Sequence, residues 1–183
     1  MKKKTLALLL AIVLVVGCAV GGTFAWLTDK TDSVVNTFTV GKVDITLAET
    51  PGLNLKMVPD QDIAKDPVVT VTGGSEACWL FVKVEASSVL STYITYDIAS
   101  GWTQGDSTNI PSNVYYRQVD ANATAQSFHV LANDQVTVLS TVTMDDMNAL
   151  NVGGATQPTL TFTAYAAQSA GLTAITAWAA VGP

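Results

Sequence analysis

The residue types able to do covalent or metal chemistry are few in this chain. His129 is the only histidine among 183 residues, so neither an H-E-x-x-H zinc helix, a histidine zinc cage nor a Ser-His-Asp arrangement can be assembled from it. Its neighbours Phe128 and Val130 share one face of a β-type run and leave His129 the other, the place of a solvent-facing strand residue. The carboxylates of Asp145 and Asp146 point apart on a strand and about 100° apart on a helix. They suit the first turn of a helix, where negative charge meets the macrodipole. Asp60, Asp62 and Asp66 offer oxygen ligands for calcium but lack the Gly and Glu positions of an EF-hand loop. The expectation is therefore no enzyme, no catalytic residues, no metal ligands and no cofactor.

Two cysteines occur, Cys18 and Cys78. Cys18 falls in an N-terminal apolar run, so its removal would leave Cys78 alone and the fold without an internal disulfide. Alternation in CWLFVKVE puts Cys78 with Leu80, Val82 and Val84 on one face, which predicts a buried, inert thiol. The aromatic residues Trp79, Phe81, Trp102, Tyr115 and Tyr116 invite a carbohydrate-binding reading. Core packing accounts for most of them, since Tyr115 and Tyr116 must point to opposite faces of one strand. Trp102, in the Gly- and Asn-rich stretch 101–113, remains a candidate surface-binding residue.

The formal net charge is −6. Lys2, Lys3 and Lys4 precede all fifteen acidic residues, so loss of the N-terminal segment leaves −6 − 3 = −9. Lys30, Lys42, Lys56, Lys65, Lys83 and Arg117 form no basic stripe, which argues against nucleic acid and against anionic membrane surfaces. Membrane contact is expected only through the export segment.

That segment has three lysines followed by the apolar run Thr5–Val20, the pattern of a signal peptide. Thr23 and Ala25 supply small residues at −3 and −1 of a cleavage between Ala25 and Trp26. Two other readings stay open. The apolar stretch reaches Leu27, beyond the roughly 20 residues needed to span a bilayer as an uncleaved anchor, and Val15-Val16-Gly17-Cys18 resembles a lipobox.

Behind it, runs rich in Val and Thr alternate with Gly, Pro and Asn turns. Strands are predicted at 36–40 and 42–47, 55–58, 67–72, 78–86, 93–98, 114–119, 127–131, 135–144 and 159–167. Short helices are predicted near 87–91, 145–150 and 172–181, and a polar turn at 59–66. This many short strands with marginal helices predicts an all-β fold, an antiparallel two-sheet β-sandwich of jelly-roll-like type with short peripheral helices. The division expected is a signal peptide over 1–25, an N-terminal extension over 26–35, and one β-sandwich domain over 36–183.

The junction GGTFAWLTDKTDSVVNTFTVGKVDITL resembles the exported precursors of the TasA/camelysin family of Gram-positive bacteria. The likeness is carried by Gly21-Gly22-Thr23, Ala25, Asp29, Asn36-Thr37-Phe38, Gly41 and Asp44–Leu47, with weaker echoes at Asp66-Pro67, Gly74-Ser75-Glu76, Gly101-Trp102, Val114-Tyr115-Tyr116 and Ala164–Ala167. It implies a secreted structural protein of the biofilm matrix or cell surface, released by a dedicated signal peptidase, whose copies polymerise head to tail by donor-strand exchange. Carried over by position, the donor is Trp26–Val35, with Trp26, Leu27, Val34 and Val35 as apolar anchors and a polar middle, Asp29 to Ser33. The partner implied is a second copy of the chain, with other matrix proteins as further partners. The competing reading is a monomeric surface module that binds glycan or a matrix protein. Family members described as metallopeptidases supply a third, for which this chain lacks the ligands.

Overall fold

The computed structural model describes residues 2–26, 41–51, 56–153 and 155–183. It divides into two compact units, Met1–Thr39 and Val40–Pro183. The first contains helix α1 (Lys3–Trp26), without an acidic residue in its first turn or a basic one in its last. Its side chains are described as far as Val16, and those from Leu6 to Val16 are exposed. Among the described residues no helix is long and apolar enough to cross a membrane.

The second unit runs β1 (Ile45–Ala48), β2 (Asp62–Ala64), β3 (Val68–Val71), β4 (Cys78–Ala86), α2 (Leu90–Tyr93), β5 (Ile94–Thr95), β6 (Thr103–Gln104), β7 (Val114–Val119), β8 (Gln126–His129), β9 (Gln135–Val138), α3 (Met144–Leu150), β10 (Leu160–Gln168) and α4 (Ala174–Val181). The strands form three antiparallel sheets, ordered β1-β3-β8, β10-β4-β7-β6 and β2-β9-β5. The body is thus mostly sheet with a few short helices.

Strand β4 organises the unit. Cys78, Leu80, Val82 and Val84 on one face join Val69 and Val71 of β3, Val119 of β7 and Val130 in a core shared by the first two sheets. Phe81, on the opposite face, is also fully buried, in a second cluster with Val114, Ala177 and Trp178. Burial on both faces explains why CWLFV reads as a continuous apolar run. Helix α4 is what covers that second face. Trp178 meets Phe81 at 5.3 Å between ring centroids and Tyr165 edge-on at 5.5 Å, an arrangement that aromatic quadrupoles favour.

Both longer terminal helices of the body begin with reciprocal caps. The Thr143 hydroxyl accepts from the Asp146 N–H while the Asp146 carboxylate accepts from the Thr143 N–H. Thr173 and Thr176 repeat the arrangement at α4. Asp145 and Asp146 therefore sit in the first turn of α3, as the macrodipole argument expects.

The structure departs from the sequence expectation in several places. The expected two sheets are three by hydrogen bonding, because the chain breaks between β8 and β9. Asn133 and Asp134 there take φ of 56° and 55°, which no pleated strand accommodates. The run 135–144 is strand only to Val138, since Leu139 turns away. Within 59–66, where only a turn was expected, β2 forms by pairing with β9. The run 93–98 keeps two strand residues and a bridge at Ile98. The expected strand 36–40 and the first residue of 55–58 lie outside the described residues, and 56–58 is not strand.

Candidate functional site

Of the residues singled out for a function, Leu27, Val34 and Val35 lie outside the described residues. Ala25 and Trp26 close the backbone of α1, their side chains likewise outside. Trp102 is described and turns inward. It packs against the shared core, and its indole N–H donates to the His129 carbonyl at 2.9 Å. His129 is exposed on β8 as expected, with Nδ1 2.7 Å from an Asp134 carboxylate oxygen.

That Trp102 bond has a consequence at the sheet edge. Strand β8 is the outer strand of its sheet, and the His129 carbonyl on its open side is capped by an indole. Unpaired strand edges template further pairing, and short or covered edges resist it. Strands β2, β5 and β6 span two or three residues each, and β1 spans four. The outlier is β10, an outer strand of nine residues.

The register of β10 on β4 fixes which backbone groups it leaves free. Ser87 N–H donates to Thr159 C=O at one end, and Ser169 N–H to Ala77 C=O at the other. Antiparallel pairing alternates along the strand, so Thr161, Thr163, Tyr165 and Ala167 direct their N–H and C=O at β4. Leu160, Phe162, Ala164, Ala166 and Gln168 direct theirs to the open side. Among the described residues none of these finds a backbone partner. The side chains of Leu160, Phe162, Ala164 and Ala166 face the shared core, and the two alanines make the middle of that edge shallow.

Two cavities adjoin the start of this edge and share Lys65, Leu160 and Thr161. The larger, about 460 Å³, is walled by Met57, Ile63, Leu90, Ile94 and Val136. The smaller, about 330 Å³, has Leu47, Ala48 and Phe162 in its wall. Lys65 is held between them. Its ammonium pairs with Glu49 at 2.9 Å and stands 5.3 Å from the Phe162 ring centre. Thr50 ties the same segment down by donating its N–H and hydroxyl to Asp66, which holds that carboxyl below its ordinary range. The result is an apolar groove with the Lys65–Glu49 ion pair at its middle, beside a strand edge that is unpaired among the described residues.

The remaining titratable groups assemble nothing comparable. Asp62 accepts from the Thr137 hydroxyl and Asp66 from Thr50, so the loop acids serve separate partners. Among the described residues no group of three or more His, Cys, Asp or Glu is placed to hold a metal ion. Cys78 is sealed in the core, and burial pushes its thiol up. Asp106 accepts from the N–H groups of Thr108, Asn109 and Ile110 and from the Asn109 amide. That set, led by the Asn109 N–H, depresses its carboxyl strongly and fixes the 101–113 loop.

Sequence reasoning missed the β10 edge as a site. Its signal was the pair of alanines at 164 and 166 in an otherwise bulky strand, which becomes meaningful only once the strand is known to be outermost.

Residues 1–77 match the family model described as Camelysin metallo-endopeptidase. No curated protein and no solved structure matches the chain. The donors here do not fit the zinc centre that this description implies. A catalytic zinc takes three protein ligands, usually including two or three histidines. The chain has one, already paired with Asp134.

Proposed function

We propose, on the premise that the match over residues 1–77 supports membership of the TasA/camelysin family, that the chain is a secreted structural protein of the matrix or cell surface which polymerises by donor-strand exchange. The observation that carries this reading is the nine-residue outer strand β10, whose open-side backbone groups from Leu160 to Gln168 find no backbone partner among the described residues. An extended segment laid along it gains main-chain hydrogen bonds while alternate side chains enter the groove. The first two sheets, which share one core, are read as the layers of a jelly-roll-type sandwich with this edge at its side.

The donor is Trp26–Val35 of a second copy. Trp26 and Val34 share one face of an extended strand, and Leu27 and Val35 the other. Trp26 and Val34 flank Thr28, Lys30 and Asp32, while Leu27 and Val35 flank Asp29, Thr31 and Ser33, so each face has apolar ends and a polar middle. The groove has the same order, apolar walls to either side of the Lys65–Glu49 ion pair. Such an insertion is heterologous and does not close, so it yields filaments. Release of the donor depends on cleavage between Ala25 and Trp26.

The binding-module reading has less to rest on, because Trp102 spends its N–H and one ring face within the protein. The peptidase reading lacks its ligands. The deciding experiment is electron microscopy of chain produced from Trp26. Filaments that disappear when Trp26–Val35 is deleted support the proposal. Folded monomer in both forms overturns it.

A further inference from the structure

Arg117 is the chain's only arginine, and its surroundings are unusual. It lies on β7, with the Phe128 ring centre 4.0 Å from its guanidinium carbon and that of Trp102 5.5 Å away. Among the described residues its guanidinium has no hydrogen-bond acceptor and no carboxylate. Its Nε is buried without any partner, and burial pulls the group below its ordinary range. The described lysines of the β body differ. Lys42 pairs with Asp44, Lys65 with Glu49, and Lys83 with Glu85, while Lys56 also has a partner.

A cation packed against two rings is held rigid and partly dehydrated, which strengthens a hydrogen bond to an incoming anion. The end of the fork is approached from Gly101, where a side chain would begin 3.3 Å from Nη1. Glycine at that position, with φ of 86°, leaves the amino ends of the guanidinium uncrowded. The chain itself supplies the matching charge in excess, with fifteen acidic residues against nine basic ones. Copies that assemble must therefore bring carboxylates close together.

We infer that the Arg117 guanidinium, packed against Phe128 and Trp102 beside Gly101, is a carboxylate-binding site that takes an Asp or Glu side chain from a second copy. It donates end-on through Nη1 and Nη2, since Nε is enclosed. The inference rests on the assembly reading for the source of the carboxylate, but not for the chemistry of the site. It concerns the β6–β8 side of the body and does not involve the β10 edge.

The test has two arms on the secreted protein. In the first, the Arg117 Nε–H resonance of labelled monomer is followed while sodium acetate replaces sodium chloride at constant ionic strength. A saturable shift in the wild type, absent from Arg117→Lys, supports the site. A response no different from that to chloride overturns it. In the second arm, the critical concentration for assembly is compared for wild type and Arg117→Met, with circular dichroism and thermal melting as the check on folding. A folded Arg117→Met needing about tenfold more protein to assemble, the ratio set by one charge-assisted hydrogen bond, supports the second copy as the source. Unchanged assembly overturns that assignment while leaving donor-strand exchange standing. If Arg117→Met does not fold, added acetate as a competitor of wild-type assembly replaces it, with the same two outcomes. If the wild type never assembles, donor-strand exchange falls, and the acetate shift alone decides the site.

Discussion

At the scale of single residues, the chain spends its polar side chains on holding backbone. Asp106 is the clearest case. One exposed carboxylate collects three consecutive N–H groups and an amide, so the long loop that carries Trp102 has its own fold. Because its carboxyl titrates lower in the folded state, it stabilises above the unfolded range, near about pH 4, and that contribution is lost as pH falls below it. Asp106→Asn keeps one acceptor oxygen and removes the charge. Its melting temperature should fall at neutral pH and converge on the wild-type value in acid; parallel pH profiles would contradict this. Cys78 makes the opposite point, because its burial withholds the thiolate that alkylation requires. Native protein should resist iodoacetamide and denatured protein react at once, so equal rates would place Cys78 elsewhere.

At the scale of elements, β10 and α4 carry opposite faces of one problem. Helix α4 covers the outer aromatic face of β4 and β7, chiefly through Trp178, which is 8% exposed. Trp178→Ala should cost about 3–5 kcal/mol by denaturant unfolding, and a loss under about 1 kcal/mol would mean that the helix does not pack as described. Strand β10 has one satisfied edge and one open edge, and proline separates them. Ala164→Pro removes an N–H that faces the open side, a substitution that outer strands tolerate. Thr163→Pro removes one that bonds β4. The first variant should fold yet fail to form filaments, and the second should be destabilised. Filaments from folded Ala164→Pro protein would exclude β10 as the acceptor.

At the scale of the whole molecule, processing and charge are what the proposed assembly depends on. The unit Met1–Thr39 contains helix α1, and Val40–Pro183 the β body. The proposed donor stretch Trp26–Val35 falls within the first, so on the proposed function cleavage would turn an export element into an assembly element. N-terminal sequencing of the secreted form should begin at Trp26. A start at a lipidated Cys18 or at Met1 would remove the free donor and, with it, filament growth. An acidic body needs directed contacts to self-associate, and the β10 edge and the Arg117 site are proposed here as such contacts.

Much of this was legible in the sequence. The strands at 78–86, 114–119 and 159–167 and the helices at 145–150 and 172–181 appear within about two residues of their expected ends. They are the segments in which periodicity, turn residues and caps agree. The single histidine and the acidic balance bounded the chemistry without any coordinates. The sequence was silent wherever a property belongs to a pair of segments distant along the chain. It could not show that β2 forms only by pairing with β9, that Trp102 caps a carbonyl on the β8 edge, or that Arg117 packs against two rings with no carboxylate beside it among the described residues. Least of all could it show that β10 is an outer strand, because strand order follows from which segments pair across long loops. Local pattern determined what each stretch could become; tertiary pairing decided which hydrogen-bonding edge was left open.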